Sequence, residues 1–250
     1  GQDVQIGVSS FSDFPTSPFG SSYDYPFRLN QALTDQPELV VNALNELNIL
    51  RGGDGPESQL EAVYQTADPA SGWREGSLPV MFLATDARFH DGDTEASYPG
   101  AGFSETLDRL ADNDITVFGL QSGGTINDVI TLTNATGGEA FSLSRDSAEV
   151  VESALAAIEV ASSDLSVKME PSGDFYGIVD SITPLGDNIS EDGTSITGVN
   201  PGDTISFDVT FKRSFLEIFG DEAHTITLRL LINANDVAII QEIPVVINFD

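Results

Sequence analysis

Leu78-Pro79-Val80-Met81-Phe82-Leu83-Ala84-Thr85-Asp86 is a nearly continuous apolar run closed by a carboxylate. An apolar run without polar alternation predicts a strand buried on both faces, as in a parallel sheet with helices on either side. The flanking segments agree. Val4, Ile6 and Val8 predict a short strand ending near Phe11, followed by a loop rich in Pro, Ser, Tyr and Gly over residues 15–26. Leu39, Val40, Leu44, Leu47 and Leu50 keep helical spacing. A second helix carrying Leu60, Val63 and Tyr64 starts just after Pro56, where a missing N–H has no helical partner to lose. Helical signals over residues 103–110, 126–132 and 148–160 surround a further strand over 115–120. Strands alternating with helices predict an α/β fold, a doubly wound and mostly parallel sheet.

After Ser163 no amphipathic helix is evident. Ile205, Phe207, Val209 and Phe211 alternate with Ser206, Asp208 and Thr210; Ile226, Leu228 and Leu230 alternate with Thr225, Thr227 and Arg229. Residues 237–249 form another long β-type segment. Period-2 alternation broken by Gly, Asn and Asp predicts an antiparallel β-sandwich, immunoglobulin-like in class. The expected domains are therefore residues 1–162 and 163–250.

Forty acidic residues face ten basic ones in the 250-residue chain, for a formal net charge of −30. Such a surface repels phosphate, so nucleic acid and anionic lipid are excluded as partners, while divalent cations or a salty medium suit it. There are no cysteines, which rules out disulfides and thiolate metal sites. No apolar run reaches the roughly 20 residues that span a bilayer, so no direct membrane insertion is expected.

Ligands of open parallel sheets collect at the carboxyl ends of the strands. Asp13 lies just past the first strand, Asp54 and Glu57 lie in Gly52-Gly53-Asp54-Gly55-Pro56-Glu57, and Asp86 closes the apolar run. Hard oxygen ligands converging from several loops suit Ca²⁺ or Mg²⁺. Each acid also has an ordinary alternative: a turn for Asp54, a helix N-terminus for Glu57, a strand end for Asp86. Asp91-Gly92-Asp93-Thr94-Glu95 lacks the spacing of a full calcium loop and reads as a solvated turn. Trp73 reads as a packing residue, and the Tyr23/Tyr25 pair is open between packing and recognition.

These same strings carry a resemblance. Ile6-Gly7-Val8-Ser9-Ser10-Phe11-Ser12-Asp13, Phe27-Arg28, Leu33-Thr34-Asp35, Asp54-Gly55-Pro56-Glu57, Gly72-Trp73-Arg74 and Thr85-Asp86-Ala87 resemble, in order, the von Willebrand factor A-like domain of integrin β subunits. Gly202-Asp203-Thr204-Ile205-Ser206-Phe207 resembles the integrin hybrid domain, itself a β-sandwich. The resemblance implies a metal-ion-dependent adhesion site using Glu57 and Asp86. It also implies a neighbouring Ca²⁺ site using Asp13, Asp54, the Pro56 carbonyl and Glu57. An Asn that serves this second site in the family falls on Gly52 here. The adhesion motif Asp-x-Ser-x-Ser does not occur, so the first strand and helix of the domain are expected to be absent and the metal site incomplete.

The resulting expectation is an adhesion or ligand-binding module of an extracellular or cell-surface protein, dependent on Ca²⁺ or Mg²⁺. It would take a protein or other acidic ligand through the metal ion, with room for an α-type partner subunit. The alternative is a metal-independent structural or interaction module of a larger surface protein. An enzyme is not expected: the only imidazoles are His90 and His224, and no nucleophile elbow accompanies them. Integrins carry a His at the position of His90 as well.

Overall fold

A computed structural model of the chain describes residues 4–50, 52–74, 76–143, 165–173, 176–200, 202–212, 224–236 and 238–249, together with residues 152, 155, 156, 159, 160 and 163. Two compact units result, Gly1–Arg74 with Pro79–Ala161, and Glu75–Leu78 with Ser162–Asp250.

In the first unit the order is β1 (Ile6–Ser10), β2 (Arg28–Thr34), α1 (Pro37–Asn45), α2 (Gln59–Thr66), β3 (Val80–Thr85), α3 (Phe103–Asp112), β4 (Thr116–Ser122), α4 (Asn127–Ala135) and β5 (Ala140–Leu143). Strands β3, β4 and β5 form a parallel sheet in that order, with Phe82 opposite Phe118 and Leu120 opposite Phe141. The expectation of a mostly parallel sheet needs one correction. Strand β1 pairs antiparallel with β2 in a separate two-stranded sheet. The connection between them carries no crossover helix, and without one a chain can return only antiparallel.

Leu60 and Val63 of α2, Met81 and Leu83 of β3, Leu110 of α3, Val117 of β4, and Val129 and Leu132 of α4 meet in one buried cluster. Trp73 packs on that cluster and donates its indole N–H to the Thr66 carbonyl at 2.8 Å, the packing role expected of it. A second correction concerns β3. Met81 and Leu83 are buried as expected, but Phe82 is 38% exposed. It stands at the sheet edge, and its ring lies 6.0 Å from Phe118, itself 6.5 Å from Phe141, in a row along the other face. Helix α1 likewise seats only Val40 and Ala43 against Val8, while Leu44 stays 52% exposed. The helix expected over residues 148–160 lies largely outside the described residues.

The second unit contains β6 (Leu165–Ser172), β7 (Val179–Leu185), β8 (Ser195–Val199), β9 (Ser206–Phe211), β10 (His224–Ala234) and β11 (Ala238–Phe249). They form a four-stranded antiparallel sheet in the order β11-β10-β6-β8 and a two-stranded antiparallel pair β7-β9. Ile178, Val179, Leu228 and Leu230 are buried together, with Met169, Ile182, Val209 and Val245 packed around them. The Gly76 carbonyl accepts the Ile239 N–H at 2.8 Å, which ties the short segment Glu75–Leu78 to this unit.

Helix α4 approaches β4 closely enough that a Cβ on Gly119 would overlap Val129 Cγ1 and stand 3.2 Å from Thr133 Cγ2. Overpacking of this kind costs roughly 1–3 kcal/mol. Gly119→Ala is expected to lower the thermal unfolding midpoint accordingly; an unchanged midpoint would mean that α4 does not seat on this strand.

Candidate metal centre

Three backbone hydrogen bonds build the site. The loop after β1 is joined to the start of α2 by Ser58 N donating to the Ser12 carbonyl at 2.9 Å. The loop before α2 is joined to the segment after β3 by Glu57 N to the Arg88 carbonyl and His90 N to the Glu57 carbonyl, both 2.9 Å. Glu57 and Phe89 thus form an isolated parallel bridge. The ends of β1 and β3 and the Gly-rich loop are brought to one place.

Asp13 sits at the bottom, 0% exposed. Its Oδ1 accepts the Phe14 N–H and the Ser58 hydroxyl, each at 2.8 Å. Its Oδ2 is buried without a hydrogen-bond donor. It lies 3.3 Å from His90 Nε2, which instead makes a hydrogen bond of 3.1 Å to Asp54 Oδ1. His90 Nδ1 lies 2.7 Å from Glu95 Oε2. The imidazole is fixed by rings as well, stacked on Tyr98 at 4.8 Å and met edge-on by Phe19 at 5.0 Å. Oxygen atoms of Asp13 and Asp54 and a nitrogen of His90 all lie within 4.8 Å of one another. Glu57 Oε2 is a second buried carboxylate oxygen with no hydrogen-bond partner.

The electrostatics follow from this crowding. Burial pushes the Glu57 carboxyl up to about 7, helped by Asp13, Asp24 and Asp54 and opposed by His90. Burial also raises Asp13, against the hydrogen bonds from Ser58 and Phe14. For His90 burial works downward, but the hydrogen bonds to Glu95 and Asp54 and the charge of Asp13 outweigh it and the imidazole is raised. The pocket thus holds protons where a cation would serve. The orphaned Asp13 oxygen, an Asp54 oxygen and a ring nitrogen of His90, all within 4.8 Å of one another, are a donor set that fits a divalent ion, with the Glu57 carboxylate close by.

Of the residues picked from the sequence, Asp13, Asp54 and Glu57 gather here, with Pro56 half-buried beside Glu57. Asp86 does not belong to the Asp13–Asp54–His90 group and is exposed at the end of β3. Gly52 adopts φ +59°, and a Cβ there would meet Glu57 Oε1 at 2.8 Å, so the glycine makes room for the carboxylate. His90, Glu95 and Asp24 were not among the sequence candidates. Asp24 is a structural hub: it accepts the Ser12 hydroxyl at 2.9 Å and the Ser21 N–H and hydroxyl at 2.8 Å. In the loop read as a solvated turn, Asp91 and Asp93 accept the Phe103 and Ser104 N–H groups at the start of α3. Glu95 of that loop turns inward to His90.

Residues 1–208 match the family described as Integrin beta-like protein A-E, vWA-like. The chain belongs to this family. Its first unit is accordingly a von Willebrand A-like α/β fold, here with a three-stranded parallel sheet and one two-stranded antiparallel sheet. Two solved structures are similar. The von Willebrand factor type A protein from Catenulispora acidiphila is 12% identical with a TM-score of 0.44, over 97% of this chain and 57% of that one. The ArnB paralog VWA2 from Sulfolobus acidocaldarius is 12% identical with a TM-score of 0.34, over 99% of this chain and 56% of that one. The chain therefore spans little more than half the length of either. No curated protein matches it. Proteins with von Willebrand A-like domains generally act in adhesion and interaction.

The protonation of the site gives a pH signature. Glu57, raised from 4.5 to about 7, binds its proton more tightly folded than unfolded. Its contribution to stability is therefore greatest below the unfolded value and is lost as pH rises through 7. His90, raised from 6.5, acts in the same sense, stabilising below its unfolded value and losing that effect as pH rises through its folded one. In chelator, the chain is expected to unfold at a higher temperature at pH 5 than at pH 8, and Glu57→Gln is expected to shrink the difference. A pH difference of the same size in that variant would refute the assignment.

Proposed function

We propose that this chain is a divalent-cation-dependent adhesion or ligand-binding module in which Asp13, Asp54 and Glu57 hold the ion and a partner's acidic group completes its coordination. The observation that carries the reading is the buried, donorless Oδ2 of Asp13, facing Asp54 and His90 and close to the Glu57 charge. An uncompensated buried carboxylate is costly, and a cation is the counter-charge that such a pocket is shaped to accept. The oxygens alone suit Ca²⁺ or Mg²⁺. Bound there, the ion would supply open coordination positions of high field to an incoming carboxylate.

The chain's own residues do the rest. Ser58 and the Phe14 N–H fix one Asp13 oxygen so that the other faces the pocket. The Glu57–Phe89 bridge fixes the loop, leaving the Pro56 carbonyl and the exposed Asp54 at the lip. For Asp86 we propose service to the separate adhesion ion that the family resemblance implies, a reading supported by its exposure at the end of β3.

A non-enzymatic role is supported by His90, both of whose ring nitrogens face carboxylates rather than a hydroxyl nucleophile. Membership of an integrin β-like family and the net charge of −30 favour a cell-surface or extracellular setting. Among the described residues no helix is long and apolar enough to cross a membrane. For the second unit we propose an immunoglobulin-like sandwich of hybrid-domain type, since its two antiparallel sheets contribute to one apolar cluster.

One observation favours the metal-independent alternative. A protonated His90 between Asp13 and Asp54 would itself neutralise the pocket. Titration calorimetry decides between the two. The chain is expected to take up one Ca²⁺ or Mg²⁺ with saturable heat, and Asp13→Asn or Glu57→Gln is expected to weaken it at least tenfold while the fold is retained by circular dichroism. At a hundredfold excess over Kd the ion would stabilise the chain by about 2.7 kcal/mol. Absence of saturable heat and of thermal stabilisation with every divalent cation would leave the metal-independent module.

A further inference from the structure

His90 is the one strong donor of this site that is not oxygen, and its surroundings hold it as a ligand would be held. We infer that His90 Nε2 is itself a ligand of the ion, so that the site takes a first-row transition cation such as Zn²⁺ or Co²⁺ in preference to Ca²⁺ or Mg²⁺. This rests on the cation reading above and narrows it.

Three observations carry it. The first is distance: Nε2 lies 3.3 Å from Asp13 Oδ2 and 3.1 Å from Asp54 Oδ1. Ligands about 2.0–2.2 Å from one tetrahedral ion stand roughly 3.3 Å from each other, so the pair separations are those of neighbours in one coordination shell. The second is orientation. Glu95 Oε2 lies 2.7 Å from Nδ1 and accepts a hydrogen bond from it, so that Nε2 is the nitrogen aimed at the two aspartates and, once it gives up its own proton, the one whose lone pair faces them. A carboxylate behind a ligating imidazole fixes its tautomer and raises its basicity. The third is burial. The His90 side chain is 3% exposed, clamped between Tyr98 and Phe19, and Asp13 opposite it is wholly buried with an orphaned oxygen. A buried, preformed nitrogen donor contributes little to Ca²⁺ or Mg²⁺, which select oxygen, whereas imidazole suits first-row transition ions such as Zn²⁺ and Ni²⁺. On loading, the cation takes the place of the Nε2 proton, which leaves to solvent.

The chain contains two histidines, and the other, His224, lies on β10 of the second unit, so imidazole nitrogen NMR reads the site directly. With the 250-residue chain, Zn²⁺ at one equivalent is expected to shift the His90 Nε2 resonance to that of a metal-bound nitrogen and leave His224 unmoved, while Ca²⁺ at saturation leaves Nε2 unligated. By calorimetry Zn²⁺ is expected to bind at least tenfold more tightly than Ca²⁺. His90→Gln is expected to erase that margin while Ca²⁺ affinity changes less than about threefold. Because His90 is buried, Glu95→Gln provides a milder variant, expected to lower Zn²⁺ affinity by about 10–100-fold with the fold intact. If Zn²⁺ binds without shifting His90 Nε2, or if both variants keep the Zn²⁺ margin, His90 is not a ligand and the inference falls, while the oxygen-based cation site stands. If neither Zn²⁺ nor Ca²⁺ gives saturable binding, the cation reading itself falls and takes this inference with it.

Discussion

The first unit is organised around a carboxylate placed where water cannot reach it. Asp13 satisfies one oxygen with the Phe14 N–H and the Ser58 hydroxyl and leaves the other bare beside His90. Burying a half-satisfied carboxylate opposes folding unless a counter-charge is near. The surrounding chain supplies the candidates: a proton on Glu57, a proton on His90, or a cation among them. Each demands the same geometry, so the three loops must meet whichever occupies the pocket.

That geometry is secured by backbone rather than by side chains. Glu57 is threaded between the Arg88 carbonyl and the His90 N–H, and α2 begins with Ser58 bonded to the Ser12 carbonyl. Leu60 and Val63 then anchor α2 in the apolar cluster under β3 and β4. A shift of α2 would therefore move Glu57 and Ser58 together. Hydrophobic packing on one side of the helix is coupled to charge placement at its N-terminus, which is how a domain core can position a site that is itself unfavourable to form.

Much of this was legible in the sequence because it rests on period and on local chemistry. The run ending at Thr85 had to be a strand, and Gly52-Gly53-Asp54-Gly55-Pro56-Glu57 had to be a loop feeding a helix. What stayed hidden depends on long-range pairing. Strand β2, Arg-Leu-Asn-Gln-Ala-Leu-Thr, has no clean alternation, and β5 spans only Ala140–Leu143. The exposure of Phe82 follows from the edge position of β3, which its own residues do not encode. In the site, Asp13, Asp54 and Glu57 were readable from strand ends. His90 and Glu95 were not, because their partnership crosses five residues of a loop whose other acids, Asp91 and Asp93, cap α3. The visible signal was an isolated His followed by Glu in an otherwise acidic turn, and only the inward fold of Glu95 gives it meaning. Asp86, which the family resemblance assigns to the adhesion site and not to the neighbouring Ca²⁺ site, lies outside the Asp13–Asp54–His90 group.

The acidity of the chain bears on how such a pocket is filled. A net charge of −30 raises the local concentration of any cation near the surface, screened over about 10 Å at 0.1 M salt. That field does not discriminate among divalent ions, and it attracts protons as well. Discrimination has to come from inside the pocket, from donor type and rigidity. Asp54, at the lip, can meet an ion of either class, whereas the clamped imidazole of His90 and the fixed oxygen of Asp13 cannot adjust to a loose, high-coordination shell. On the proposal made above, the outer charge governs how readily a cation arrives, and the His90–Glu95 pair governs which cation stays.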